Sequence, residues 1–125
     1  MKALKKSGED YLETIYNLSK QSEKVKSVDV ATALNVTKPS THRAIENLIK
    51  SGLAHKESYG QVSLTDEGEK LAKEVLKKHR AITTLLTQVL GVSDEVAETD
   101  ACKIEHELSE ETTQKLYEFL EKNNI

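Results

Sequence analysis

The feature that most constrains this chain is how closely one helix end is followed by the next helix start in SVDVATALNVTKPSTHRAIENLIKSG, residues 27 to 52. Ser27 can cap a short helix whose Val28, Ala31 and Leu34 share a face and which closes at Asn35, just before a new cap signal. Two residues later Thr37 offers a new cap. Pro39 follows in the first turn, where its missing N–H does no harm; Ala44, Ile45, Leu48 and Ile49 form an apolar stripe, and Gly52 stops the helix. Two helices separated by so tight a turn are a helix-turn-helix candidate.

The flanking segments extend that reading. Ser7 followed by GEDYLETIYNLSK predicts a capped first helix with Leu12, Ile15 and Tyr16 inward and acids in its first turn. After the helix pair, LAHKESYGQVSL alternates around Ser58-Tyr59-Gly60 and predicts a two-stranded hairpin, a wing. A long helix then runs from Thr65 to about Leu90, with a seam of Leu71, Val75, Leu76, Ile82, Leu86, Val89 and Leu90. A small domain covers only part of such a seam, so its distal half is expected to pack against further helices or another subunit. Those helices are predicted from Ser93 to about His106 and from Ser109 to about Glu121. The expected fold is mostly α with a small β-hairpin wing: a winged helix-turn-helix domain over 1-72, then an α-helical domain over 73-125.

Charge is unevenly spread. Residues 1 to 80 carry 15 Lys and Arg against 11 Asp and Glu, whereas residues 81 to 125 carry 3 against 10, so a chain of net charge -3 has a basic front and an acidic rear. That asymmetry suits a polyanion at one end and a cation at the other, or an ordinary solvated surface. On the second helix of the pair, Thr37, Lys38, Pro39, Ser40, Thr41, Arg43 and Asn47 are candidates for DNA contact, because a helix N-terminus bearing such side chains presents donors to phosphates and base edges. The alternative is a solvated polar face. Lys5, Lys6, Lys24, Lys26 and Lys56 are candidate phosphate contacts or plain surface lysines. Scarce aromatics and the lack of Trp argue against a single-strand binder that stacks bases.

The segment ACKIEHEL places the single cysteine, Cys102, with Glu105 and His106 at i, i+3 and i+4, a spacing that sets side chains side by side on a helix. Sulfur, oxygen and nitrogen donors together suit a divalent transition metal; a buried Cys beside a surface Glu-His pair is the plainer alternative. Asp10 and Glu13 repeat the i, i+3 geometry in the first helix, and His79 lies on the apolar seam of the long helix. There is no Ser-His-Asp arrangement and no H-E-x-x-H motif, so hydrolytic chemistry is not expected. One cysteine makes no internal disulfide, no apolar run approaches the ~20 residues of a membrane span, and the N-terminus lacks a secretory h-region. A cytoplasmic protein with no membrane partner, no small-molecule substrate and no enzymatic activity is expected.

From Gly8 to about Leu120, the ordered set EDYLETIY, VTKPSTHRAIENL, LTDEGEKLA, KKHR and ACKIEHELS resembles the diphtheria toxin repressor family of metal-dependent transcriptional regulators, in a short form without the SH3-like domain of longer members. The resemblance implies a homodimer that binds an inverted-repeat operator of double-stranded DNA and represses metal homeostasis genes when metal is bound. It implies Asp10, Glu13, His79, Cys102, Glu105 and His106 as metal ligands. The family's iron branch has Met where Asp10 stands and Cys where Cys102 stands, and its manganese branch has Asp and Glu; this chain has one of each. Thiolate at Cys102 tips the expectation slightly to Fe(II) over Mn(II), with Zn(II), Co(II) or Ni(II) as further occupants in vitro. The iron branch's ancillary site has Glu and His where Thr83 and Glu98 stand here, so that second site is not expected in its usual form, and Glu98 is left as a residue still able to ligate. A redox-responsive winged-helix regulator with Cys102 as its sensor thiol is the alternative function.

Overall fold

A computed structural model describes residues 6–125, which fall into two compact units, Met1–Lys73 and Glu74–Ile125. The first holds α1 (Lys6–Gln21), β1 (Val25–Lys26), α2 (Ser27–Leu34), α3 (Lys38–Lys50), β2 (Ala54–Lys56) and β3 (Gln61–Leu64). Helix α4 (Asp66–Thr84) begins in that unit and runs into the second, which adds α5 (Asp94–Ile104) and α6 (Glu110–Lys122). Among the described residues no helix is long and apolar enough to cross a membrane.

The first unit forms where the apolar faces of three short helices meet. Tyr11, Leu12, Ile15 and Tyr16 of α1 are buried, as are Val30 and Ala31 of α2 and Ile45 and Leu48 of α3. Burying a side chain of Leu or Ile size contributes roughly 1.5–3 kcal/mol, so this stripe is the main source of the unit's stability. Already at Lys6 the chain is helical, so Ser7 lies inside α1 rather than capping it.

Helix α2 closes as expected at Asn35, whose φ of 55° is left-handed and whose N–H reaches back to Ala31 and Thr32 carbonyls. Its start differs. Lys26 is the N-cap, with its N–H donating to the Asp29 carboxylate at 3.2 Å, while the Ser27 hydroxyl donates to the Gly60 carbonyl at 3.3 Å. The cause is a third strand that the sequence did not announce: β1 pairs antiparallel with β3, Val25 opposite Val62, so the sheet has the order β1-β3-β2 and draws Lys26 into extended geometry. Helix α3 is capped by Thr37, whose oxygen accepts the Ser40 N–H at 3.2 Å. It ends at Ser51, and Gly52 at φ 76° turns the chain so that the Leu53 N–H reaches the Leu48 carbonyl at 2.9 Å.

The wing is β2 and β3 joined by a 3-10 turn over Ser58–Gly60, with Tyr59 left-handed (φ 61°) and almost fully exposed. Where α4 leaves the wing, Gly68 is essential: a Cβ there would sit 2.0 Å from the Leu53 carbonyl oxygen, which already accepts the Thr65 N–H.

In the second unit α4 does not run as a regular helix to Leu90. It gives way to a π-helical turn over Leu85–Val89, with the Leu90 N–H reaching the Leu85 carbonyl. Thr83 and Thr87 donate their hydroxyls, each at 2.9 Å, to the carbonyls of His79 and Thr83, competition of the kind that loosens a helical ladder. Ser93 and Ser109 cap α5 and α6 as expected. Helix α5 ends at Ile104, so Glu105 and His106 lie just past it; Glu105 keeps helical angles and its N–H still bonds Ala101. Val75, Ala81, Ile82, Ala97, Ala101 and Leu120 are buried, and Lys77 stacks 4.4 Å above the Tyr117 ring, joining α4 to α6.

Candidate metal centre and DNA-binding face

In the second unit the side chains of α4 and the end of α5 converge. His79 Nδ1 lies 2.8 Å from Glu105 Oε2 and 4.0 Å from Cys102 Sγ; its Nε2 lies 2.9 Å from Glu98 Oε1. His106 Nε2 is 3.5 Å from the other Glu105 oxygen. The side chains of Glu105 and His106 are each 1% exposed. Burying a carboxylate is costly unless it is paired, and here imidazoles face both of its oxygens.

Burial lowers the pKa of His79, but the hydrogen bond to Glu98 and the charges of Glu105 and Glu98 outweigh that, leaving it raised. An imidazole between acids attracts either a proton or a divalent cation, since metal and proton compete for the same nitrogen. His79, Glu98 and Cys102 offer one imidazole, one carboxylate and one thiol whose donor atoms lie within 4.8 Å of one another, a set that fits a transition metal rather than Ca(II) or Mg(II). Asp10 and Glu13 belong to the first unit, one helical turn apart on α1 and both half-buried.

Reasoning from spacing left Glu98 outside the ligand set, although it is in hydrogen-bond reach of His79 and its donor oxygen groups with those of His79 and Cys102. The usable signal was local: Glu98 precedes Cys102 by four residues, one helical turn.

On α3, Lys38, Pro39, Arg43 and Asn47 are exposed and Ser40 half-buried, while Thr37 is exposed at the cap. Thr41 is a correction. It is 1% exposed and its hydroxyl donates to the Thr37 carbonyl at 3.0 Å, so it belongs to the core and cannot reach a DNA groove. The reason is its place on the inner stripe with Ile45 and Leu48, at i+4 and i+7. His42, three residues after Pro39, is exposed as well. Of the lysines, Lys24, Lys26 and Lys56 are exposed; Lys5 and the Lys6 side chain lie outside the described residues.

A winged helix-turn-helix unit, followed by a helical unit that gathers thiol, imidazole and carboxylate, defines a class: DNA-binding proteins that carry a transition-metal type of donor cluster. Comparison with known proteins narrows it. Residues 3–62 match the iron dependent repressor N-terminal DNA binding domain and residues 65–124 the iron dependent repressor metal binding and dimerisation domain. An HTH-type transcriptional regulator of Methanocaldococcus jannaschii is 35% identical over 120 residues, 95% of this chain and 96% of that protein. Transcriptional regulator MntR of Escherichia coli O157:H7 is 37% identical over 115 residues, 92% of this chain and 74% of its own length. The crystal structure of T. acidophilum IdeR superposes with a TM-score of 0.80 at 30% identity; it covers 100% of this chain, which spans 56% of that structure. The chain belongs to the iron-dependent repressor family, a family of metal-dependent transcriptional regulators and not of enzymes.

Proposed function

We propose that this chain is a metal-activated transcriptional repressor that acts in the cytoplasm as a homodimer on an inverted-repeat operator. The observation that carries the reading is the His79, Cys102 and Glu105 cluster, with Glu105 buried and its oxygens spanned by His79 and His106. The family resemblance adds Asp10 and Glu13 to His79, Cys102, Glu105 and His106 as ligands. It also assigns residues 1–72 to DNA binding and 73–125 to metal binding and dimerisation. When bound, the ion supplies positive charge that offsets the repulsion of the carboxylates around it. The soft thiolate of Cys102 favours Fe(II) slightly over Mn(II), with Asp10 as the hard oxygen that keeps Mn(II) competitive.

On α3, Thr37, Lys38, Pro39, Ser40, His42, Arg43 and Asn47 form the DNA-reading face, Arg43 and Asn47 suited to base edges and Lys38 to phosphate. The switch follows from linkage. A metal that binds the DNA-competent state more tightly must raise DNA affinity by the same factor, typically 1–3 kcal/mol of coupling.

The test is anaerobic fluorescence anisotropy on DNA from upstream of the chain's own gene, with Fe(II), Mn(II), Co(II), Ni(II), Zn(II) or chelator. Tighter binding with Fe(II) or Mn(II) than with chelator is expected; indifference to every metal defeats the reading. His106→Ala should lose the metal stimulation while keeping its far-ultraviolet circular dichroism. An exposed Cys102 thiol near His79 also supports redox sensing by Cys102. Peroxide that switches DNA binding of fully chelated protein would favour that second reading.

A further inference from the structure

The two ring nitrogens of His79 face different chemistry. Nδ1 has Glu105 Oε2 at 2.8 Å and Cys102 Sγ at 4.0 Å; Nε2 has Glu98 Oε1 at 2.9 Å. Ligands of one tetrahedral ion, bound at ~2.0–2.3 Å, sit roughly 3.3–3.8 Å from each other. Nδ1 has one donor inside that spacing, Glu105 at 2.8 Å, and one just outside it, Cys102 at 4.0 Å, so an ion that takes Nδ1 with either needs only small shifts. A ring nitrogen that ligates carries no proton, which leaves the proton on Nε2, aimed at Glu98. Metal-bound histidines commonly donate their second N–H to a carboxylate, which fixes the ring and raises its basicity.

Glu98 is built for that part. It lies one helical turn before Cys102 on α5, so both side chains approach His79 from the same helix. Its side chain is 62% exposed, against 1% for Glu105. An exposed carboxylate can turn to water at little cost, so its place against Nε2 is an interaction and not a consequence of burial. We propose that Glu98 is a positioning residue of the metal centre: by accepting the Nε2–H of His79 it selects the tautomer that leaves Nδ1 to ligate the ion beside Cys102 and Glu105. This rests on the metal reading above and adds the ligating nitrogen and the role of Glu98.

The test uses the full chain under reducing conditions, with Zn(II) as a diamagnetic probe. Zn(II) is titrated in competition with a chromophoric chelator into wild type, Glu98→Ala and Glu98→Gln, and the Zn-loaded wild type is examined by nitrogen-15 NMR of its histidine rings. Expected are an unchanged number of ions per chain, an affinity lower by about 10- to 100-fold in Glu98→Ala, and partial recovery in Glu98→Gln, whose amide oxygen accepts the same N–H. The NMR should show His79 protonated at Nε2 and metal-bound at Nδ1. One ion fewer per chain in Glu98→Ala would make Glu98 a direct ligand and overturn the proposal, as would a proton on Nδ1 or unchanged affinity. A wild type that takes up no Zn(II) would remove the metal reading itself. Since the Glu98 side chain is largely in water, metal-free melting should be nearly the same in all three proteins at pH values where His79 is neutral, and that measurement controls for folding.

Discussion

His79 stands between two carboxylates, and that fixes the sign of its pH response. With its pKa raised above 6.5, the metal-free native state holds the proton more tightly than the unfolded chain does. The stability this contributes is fully present below about pH 6.5 and is lost as pH climbs through the raised native value. In chelator, melting temperature should therefore fall as pH rises above about 6.5, and fall less in Glu98→Ala; the same slope in both proteins would refute the pairing. Metal affinity runs the other way, rising with pH, because Nδ1 must lose its proton to bind. Gly68 answers to sterics alone. With the Leu53 carbonyl 2.0 Å from an added Cβ, Gly68→Ala must push α4 away from Leu53 and should cost about 1–3 kcal/mol or more in urea unfolding. At this scale the sequence was readable wherever the partners are close along the chain. Glu105 and His106 are such a case, neighbours in sequence whose side chains lie 3.5 Å apart just past the end of α5 at Ile104. The contact of His79 with Glu98 joins residues 19 positions apart, and the only local sign of it is that Glu98 stands one helical turn before Cys102. Thr41 was misread because a hydroxyl on a recognition helix resembles a DNA contact until its place beside Ile45 and Leu48 is traced.

Caps decided most element boundaries, and they separate two serines that look alike in sequence. Ser109 accepts the Thr112 N–H at 3.1 Å and starts α6, whereas Ser27 caps nothing and makes one exposed bond to Gly60. Ser109→Ala should lose about 1 kcal/mol and Ser27→Ala less than about 0.5 kcal/mol by chemical denaturation. Equal losses would mean that α2 is capped by its serine after all. The helices were legible because apolar periodicity and capping residues agree along each of them. Strand β1 was not: at two residues it shows no alternation, and it exists because Val25 finds Val62 across the sheet. The π-helical turn after Thr84 was hidden for a different reason. Its leucines and valine keep a helical rhythm, while the loosening comes from threonine hydroxyls bonding back to carbonyls one turn earlier.

At the scale of the whole molecule, the second unit leaves apolar surface uncovered. Leu90 is 63% exposed, and Val89, Val96 and Phe119 are each more than a third exposed. Single exposed apolar residues need no explanation, but five in a unit this small, counting Ile125, in a family whose matching domain is described as one of dimerisation, suit a face covered by a second copy. The distal seam of the long helix had raised that expectation from sequence, because one small domain could not cover it. Dimerisation matters for affinity because joining two reading heads makes the second contact with DNA intramolecular. Leu90→Glu, in a protein whose rear segment already carries 10 acids against 3 bases, sets like charges against each other across such a face. Sedimentation should then show a monomer that still binds metal at its own His79, Cys102 and Glu105, while its affinity for an inverted-repeat operator drops by about 100-fold or more and its affinity for a half-site is little changed. A Leu90→Glu protein that sediments as a dimer would move the interface elsewhere on the second unit. One that is monomeric yet binds the full operator as tightly as wild type would show that each chain reads its half-site alone.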